Sequence, residues 1–179
     1  MTQILPGTQV PALTVETLDG GTWRLQDQTP ENFTFVIFYR GLHCPICRQT
    51  LRDYDHMIDQ FTQAGVAVIA ISTDTRERAA QSKAEWELQN VNIGYGLSIE
   101  NARAWGLYIS SSTKPSEPAY FAEPGHFLVR PDGTLYAAQI QSVPFARASA
   151  KMFLQSLQKI IESDYPARGV VPATENVGA

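Results

Sequence analysis

The chain has 179 residues, 44% of them apolar and 18% charged, with a formal net charge of −4. That length suits one domain with a real core, and an acidic balance without a basic patch argues against nucleic acid as a partner. No apolar run approaches the roughly 20 residues of a membrane span, and Met1–Pro6 lack the basic and apolar regions of a secretory leader, so the chain is read as cytoplasmic, with no membrane partner.

Residues 1–14, with Pro6-Gly7 and Val10-Pro11, form a lead-in segment. Leu13 to Leu18 alternates in polarity, Asp19-Gly20-Gly21 turns, and Thr22 to Leu25 returns, which is the pattern of a hairpin. After a polar loop from Gln26 to Asn32, Phe35-Val36-Ile37-Phe38-Tyr39 is a run of large β-prone residues and reads as a buried strand. Arg40 to His43 turn off its end, and both cysteines of the chain follow in Cys44-Pro45-Ile46-Cys47. Pro45, with its preset φ and no N–H to satisfy, suits the first position of a helix. Cys44 is then the N-cap and Cys47 lies in the first turn. Cys47, Leu51, Tyr54, Ile58 and Phe61 fall within an arc of roughly 80° at about 100° per residue, so one helix is expected to run on to a stop at Gly65, with Cys47 facing inward.

Val66 to Ser72 is an uninterrupted β-branched run, typical of a parallel strand covered on both faces. With the preceding strand and helix it makes a βαβ unit. Thr73-Asp74-Thr75 form a loop and cap, and Arg76 to Gln89 a helix with Ala79, Lys83, Trp86 and Asn90 along one side. Ile93 to Leu97 reads as a short edge strand, Glu100 to Trp105 as a short helix stopped by Gly106, and Tyr108 to Glu123 as a long irregular loop of the kind that carries function. His126 to Arg130 and Thr134 to Gln139, joined by Pro131-Asp132-Gly133, are the clearest hairpin. A last helix is expected from about Ala146 to Glu162, with Met152, Phe153, Leu157, Ile160 and Ile161 inward. Residues 1–164 thus form one domain, and 165–179, rich in Pro and Gly without periodicity, a flexible tail.

The placement of the cysteines carries chemistry. A sulfur at a helix N-cap accepts hydrogen bonds from free backbone N–H groups and sits at the positive end of the helix dipole. Both effects favour the thiolate, the form that attacks disulfides and peroxides. Cys44 is the expected nucleophile and Cys47 the resolving thiol beneath it. Their bridge would close too small a loop to serve as a structural staple. Zinc is the competing use of a CxxC pair, yet zinc wants four ligands. The three histidines, His43, His56 and His126, are scattered and supply no second half. No metal and no cofactor are implied. His43, when charged, would favour the Cys44 thiolate, as would Arg40 or Arg48; the plainer reading of each is a solvated side chain.

The order hairpin, β, redox helix, β, α, ββ hairpin, α resembles a thioredoxin-like α/β fold, a central mixed sheet flanked by helices, with an added N-terminal hairpin. Leu18-Asp19-Gly20-Gly21-Thr22-Trp23, Phe38-Tyr39-Arg40-Gly41…Cys44-Pro45-Ile46-Cys47 and Phe127-Leu128-Val129…Asp132-Gly133 resemble the alkyl hydroperoxide reductase / thiol-specific antioxidant family, the peroxiredoxin-like branch of that superfamily. The resemblance covers about residues 5–162. It departs from a peroxidase at three positions. Peroxiredoxins carry Pro seven residues and Thr or Ser three residues before the peroxide-attacking cysteine. Counted from Cys47, those positions hold Arg40 and Cys44; counted from Cys44 they hold Ile37 and Gly41. The family's arginine before the Phe127-like strand is replaced by Pro124, and Arg40 is a loose substitute.

Pro124 instead resembles the cis-proline of thioredoxins, beside which an incoming peptide pairs as an added strand. That resemblance implies substrate docking at Glu123 and Pro124, with Pro118 a second candidate; the alternative is a trans proline opening an edge strand. The resemblance implies a thiol–disulfide oxidoreductase acting on an oxidised protein or a small-molecule thiol or peroxide, and restored by an external thiol reductant. A thiol peroxidase and a zinc-binding or interaction module are the two rivals, and a homodimer is among the assemblies left open.

Overall fold

The computed structural model describes residues 4–172. In chain order its strands are β1 (Thr14–Thr17), β2 (Thr22–Arg24), β3 (Phe33–Phe38), β4 (Val66–Ile71), β5 (Asn92–Tyr95), β6 (Ile109–Ser111), β7 (Tyr120–Ala122), β8 (Gly125–Val129) and β9 (Leu135–Ile140). Its helices are α1 (Pro45–Asp55), α2 (Ile58–Gln63), α3 (Arg76–Glu85), α4 (Ile99–Ala104) and α5 (Ala150–Glu162). Seven strands form one sheet in the order β2-β1-β5-β4-β3-β8-β9, while β6 and β7 pair separately. β3, β4 and β5 run parallel, whereas β8 is antiparallel to β3 and β1 antiparallel to β5.

Every residue of β3 is buried because both faces of the sheet are covered. Phe35, Ile37 and Tyr39 face a core built with Leu51 and Tyr54 of α1, Ala79 of α3, and Leu154 and Leu157 of α5. Val36 and Phe38 face a second core with Ala102 of α4, Trp105 and Phe127. Both cysteines belong to the first core, so the redox helix docks on the α1/α3/α5 side.

Four expectations are corrected. The helix after Pro45 breaks at His56-Met57 instead of running on to Gly65. Asp55 explains the break: it is buried, and its carboxylate accepts the backbone N–H groups of Gln89, Asn90 and Val91 at 2.8–3.2 Å. β5 is interior, because the β1/β2 hairpin adds to its outer side. Gly94 permits that approach, since a Cβ there would fall 2.8 Å from Val15 Cγ2. The stretch 108–123 is not wholly irregular and contains the β6/β7 pair. Met152 is 60% exposed rather than inward, and the inward positions of α5 include Ala150, Leu154 and Leu157.

Beyond α5, residues 165–172 carry no helix or strand. They are nonetheless tethered: Tyr136 Oη donates to the Tyr165 carbonyl at 2.9 Å, and Ala167 packs on the first core. The last part of the expected tail, 173–179, lies outside the described residues.

Candidate active site

The turn leaving β3 is built by a buried carboxylate from the next strand's loop. Asp74 Oδ2 accepts the Leu42 N–H at 2.7 Å, and its Oδ1 accepts Arg78 Nε at 2.8 Å. Gly41 makes this possible with φ of +119°. A Cβ there would lie 2.5 Å from Asp74 Oδ2. The Gly41 carbonyl then accepts the Cys44 N–H at 3.1 Å, and α1 begins.

Cys44 is the N-cap of α1, Pro45 follows inside the helix, and the Cys44 Sγ accepts the Cys47 N–H at 3.3 Å. The two cysteines approach to 2.9 Å, and both are free thiols. The Cys44 thiol is lowered from 9.0 to about 6. The hydrogen bond from the Cys47 side chain is the main cause, aided by the Cys47 backbone N–H and by the charges of Arg40 and Arg147, and opposed by burial. Burial pushes the Cys47 thiol well up, and the shared hydrogen bond and the charge of Cys44 push the same way. Cys44 and Cys47 are 1% and 0% exposed, while Ile46 between them is 37% exposed. At the helix tip the exposed apolar side chain thus belongs to Ile46, between two covered cysteines in sequence.

The Arg40 side of the pair is closed by carboxylates. Arg40 Nε lies 3.3 Å from Glu123 Oε2 and its Nη2 lies 3.7 Å from Glu117 Oε1, with the guanidinium over the Phe121 ring at 4.7 Å. The Arg40–Glu123 contact is an ion pair without hydrogen-bond alignment. The other oxygen of Glu123 accepts from Ser110 Oγ at 2.6 Å. Neighbouring His43 packs edge-on against Phe121 with both ring nitrogens unpartnered. Burial, with the Arg40 charge, lowers its titration below the usual histidine value, so His43 is neutral at neutral pH and supplies no cation to Cys44.

The proline comparison with thioredoxins is corrected in one respect. The Glu123–Pro124 peptide is trans, as are the other described peptide bonds. Both residues are buried. Their backbone is already engaged: the Glu123 N–H donates to the Tyr108 carbonyl at 2.8 Å, and the Pro124 carbonyl accepts the Gln141 N–H at 2.9 Å. Pro118 lies outside β6 and β7, half-buried in the loop between them. Arg48 is exposed, and so is His56.

A residue that the sequence did not single out completes the site. Arg147, in the loop between β9 and α5, brings Nη1 and Nη2 each to 3.7 Å from the Cys47 Sγ. Its Nε donates to the Pro144 carbonyl at 3.0 Å, which turns the guanidinium inward. Close by, His126 projects from β8 among Phe35, Tyr54 and Phe153. Burial and the Arg147 charge lower it to about 3, so it is neutral. Nothing local in the sequence links Arg147 to a cysteine 100 positions earlier. The only available signal was a basic residue just before the last helix. Among the described residues, no three His, Cys, Asp or Glu come together as a metal site.

A parallel β3–β4–β5 sheet with an antiparallel β8/β9 edge, and a CxxC at the helix tip leaving β3, defines a thioredoxin-like protein. Solved structures share that fold. A peroxiredoxin-like protein from Aquifex aeolicus matches with a TM-score of 0.72 at 14% identity, over 89% of this chain and 90% of that one. Mycobacterium bovis AhpC matches with a TM-score of 0.74 at 17% identity, over 98% and 99% respectively. Residues 6–138 match the model of the AhpC/TSA family, and the chain belongs to that family. A Mycobacterium tuberculosis protein named as a peroxiredoxin is 33% identical over 79 residues, 44% of this chain. The chain spans about half the length of the curated relatives it matches.

Proposed function

We infer that the protein is a thiol–disulfide oxidoreductase in which Cys44 attacks and Cys47 resolves. The single observation that carries this is the N-cap position of Cys44, with the Cys47 N–H on its sulfur at 3.3 Å and Cys47 itself 2.9 Å away. The Cys44 thiolate displaces one sulfur of a substrate disulfide as a thiolate, giving a mixed disulfide. The Cys47 thiolate then attacks Cys44, expels the second substrate thiolate, and leaves a Cys44–Cys47 disulfide. The substrate gains two electrons, the protein loses two, and an external thiol reductant restores the dithiol. The substrate is an oxidised protein or a small-molecule disulfide, and the working compartment is the cytoplasm.

Arg40 enters this reading as a wall of the thiolate's surroundings, held by Glu123. The backbone bonds already made by Glu123 and Pro124 favour an approach over Ile46 rather than strand addition beside Pro124. Family membership favours a second reading, a thiol peroxidase. There a cysteine thiolate takes one oxygen from a peroxide as sulfenic acid, and the partner thiol condenses with it, releasing water. Trapping separates the two. Cys47→Ser should accumulate a mixed disulfide on Cys44 with a disulfide substrate, and Cys44→Ser should not. Rapid, saturable peroxide consumption by the reduced wild type, without comparable disulfide reduction, would reverse the order.

A further inference from the structure

Resolution requires Cys47 to lose its proton, yet Cys47 is the more deeply buried sulfur, and its thiol is held protonated in the resting dithiol. The groups facing it, or facing the guanidinium beside it, come from every neighbouring element. Cys44 lies at the N-cap of the same helix, Tyr39 and Arg40 just past the end of β3, and Tyr54 on α1; His126 projects from β8, and Arg147 from the loop before α5. Tyr39 and Tyr54 are pushed up by burial and stay neutral, and so does His126. The Arg40 guanidinium is matched by Glu123 and Glu117. Among the described residues Arg147 has no carboxylate partner, and its two terminal nitrogens meet the Cys47 sulfur instead.

We propose that Arg147 is the catalytic residue of the resolving step, its guanidinium holding the Cys47 sulfur as a thiolate once Cys44 is bound in a mixed disulfide. The timing follows from charge. While Cys44 is a thiolate, its charge and its hydrogen bond with Cys47 keep the Cys47 proton in place. Attack on the substrate turns Cys44 into a neutral disulfide sulfur and removes both effects. Burial alone then opposes ionisation, and the guanidinium at 3.7 Å favours it together with the Arg40 backbone N–H on the same sulfur. Arg147 does not take the proton, since a guanidinium remains charged throughout. The proton leaves to solvent, and the departing substrate thiolate is free to take one up.

This inference rests on Cys44 being the attacking sulfur, and the experiment tests the two separately. The reduced full-length chain is mixed with excess 4,4′-dithiodipyridine, an uncharged probe that a lost guanidinium would neither attract nor repel. Attack by Cys44 releases the first thiopyridone at a rate proportional to probe concentration. Resolution by Cys47 releases the second at a rate independent of it. In Arg147→Met the first release should fall less than the second, since Arg147 is the lesser of the two charges that favour the Cys44 thiolate. The second should slow at least about tenfold at neutral pH, and its pH midpoint should move up by about a unit, since each such unit is tenfold in thiolate fraction. Arg147→Lys should restore part of the rate, because it keeps the charge but not the two-pronged contact. An unchanged second phase and midpoint in Arg147→Met would overturn the proposal. A first phase that survives in Cys44→Ser and vanishes in Cys47→Ser would instead overturn the assignment of the attacking sulfur, whatever Arg147 does.

Discussion

Two guanidiniums flank the redox pair, and their settings differ. Arg40, on the turn after β3, is spent on Glu123 and Glu117 and covered by Phe121. Arg147, on the loop before α5, is tied to a backbone carbonyl and otherwise faces sulfur. The first belongs to a rigid corner fixed by Gly41 and Asp74, and the second to a loop with exposed Val143 and Phe145 on its outer side. A charge already paired changes little when the neighbouring sulfur changes state, whereas an unpaired one responds fully. On the proposed mechanism, the corner on the Arg40 side shapes the nucleophile, and the loop on the Arg147 side serves the sulfur that ionises later.

Of the two sides, the larger effect is expected at the rigid corner. Gly41→Ala adds a methyl group 2.5 Å from the Asp74 carboxylate at a backbone conformation suited to glycine. Strain of this kind costs about 1–3 kcal/mol, and displacing Asp74 from Leu42 adds to it. Denaturant unfolding should show a loss of about 3 kcal/mol, together with a Cys44 thiol returned toward its ordinary value. A variant as stable as wild type would show that the corner is not held as described.

The pH dependence sharpens the contrast between the two sulfurs. The Cys44 thiol titrates near 6 in the folded dithiol, below its ordinary value of 9.0, so between those values the folded state binds fewer protons than the unfolded chain. The stabilisation this gives is complete above the ordinary thiol value and is lost as pH falls through about 6. The disulfide form has no such proton to lose. The midpoint potential of the couple should therefore fall by about 59 mV per pH unit below pH 6, where two protons accompany two electrons, and by about 30 mV per unit above it. Titration in glutathione buffers from pH 5 to 8 reads the break directly. A single slope of about 59 mV across that range would mean that Cys44 is not the acidic thiol.

Substitutions around Arg40 should give a smaller effect of opposite signs. Glu123→Gln keeps the Ser110 hydrogen bond but leaves the guanidinium less compensated, so Cys44 should become more acidic by about half a unit. Arg40→Met should move it the other way by a similar amount, and it leaves Glu123 buried without its cation, which also lowers stability. Thiolate absorbance near 240 nm reports both. Shifts of the same sign would mean that the ion pair acts through geometry and not through charge.

What the sequence made readable follows the range of the interactions involved. The strand, the turn and the N-cap cysteine are dictated within fifteen residues by Phe35 to Tyr39, Gly41 and Pro45, and so are the turn residues of both hairpins. The break at His56-Met57 was hidden because its cause, Asp55, finds its partners more than thirty residues away at Gln89 to Val91. β5 looked like an edge because the hairpin covering it comes from the far N-terminal end of the chain. On α5, Met152 and Leu154 both lie in an apolar pattern. Only packing decides that Leu154 is 4% exposed and Met152 60%. Leu154→Ala should cost about 2–4 kcal/mol, and Met152→Ala less than about 0.5 kcal/mol. Arg147 is the extreme case, a functional contact whose loop obeys no periodicity.

A final prediction probes how that loop is aimed. Ser149 caps α5 by accepting the Met152 N–H at 3.3 Å, two residues beyond Arg147. Ser149→Ala should cost about 1 kcal/mol of stability through the lost cap. Two bonds near Arg147 help to aim its guanidinium at Cys47, this cap and the bond from its own Nε to the Pro144 carbonyl. Loosening one should therefore slow the second thiopyridone release about two- to threefold while leaving the first unchanged, because the Cys44 corner shares no hydrogen bond with Ser149. If both releases slowed together, the cap would be supporting the fold as a whole. If neither moved, the Pro144 bond alone would be enough to hold the guanidinium on the sulfur.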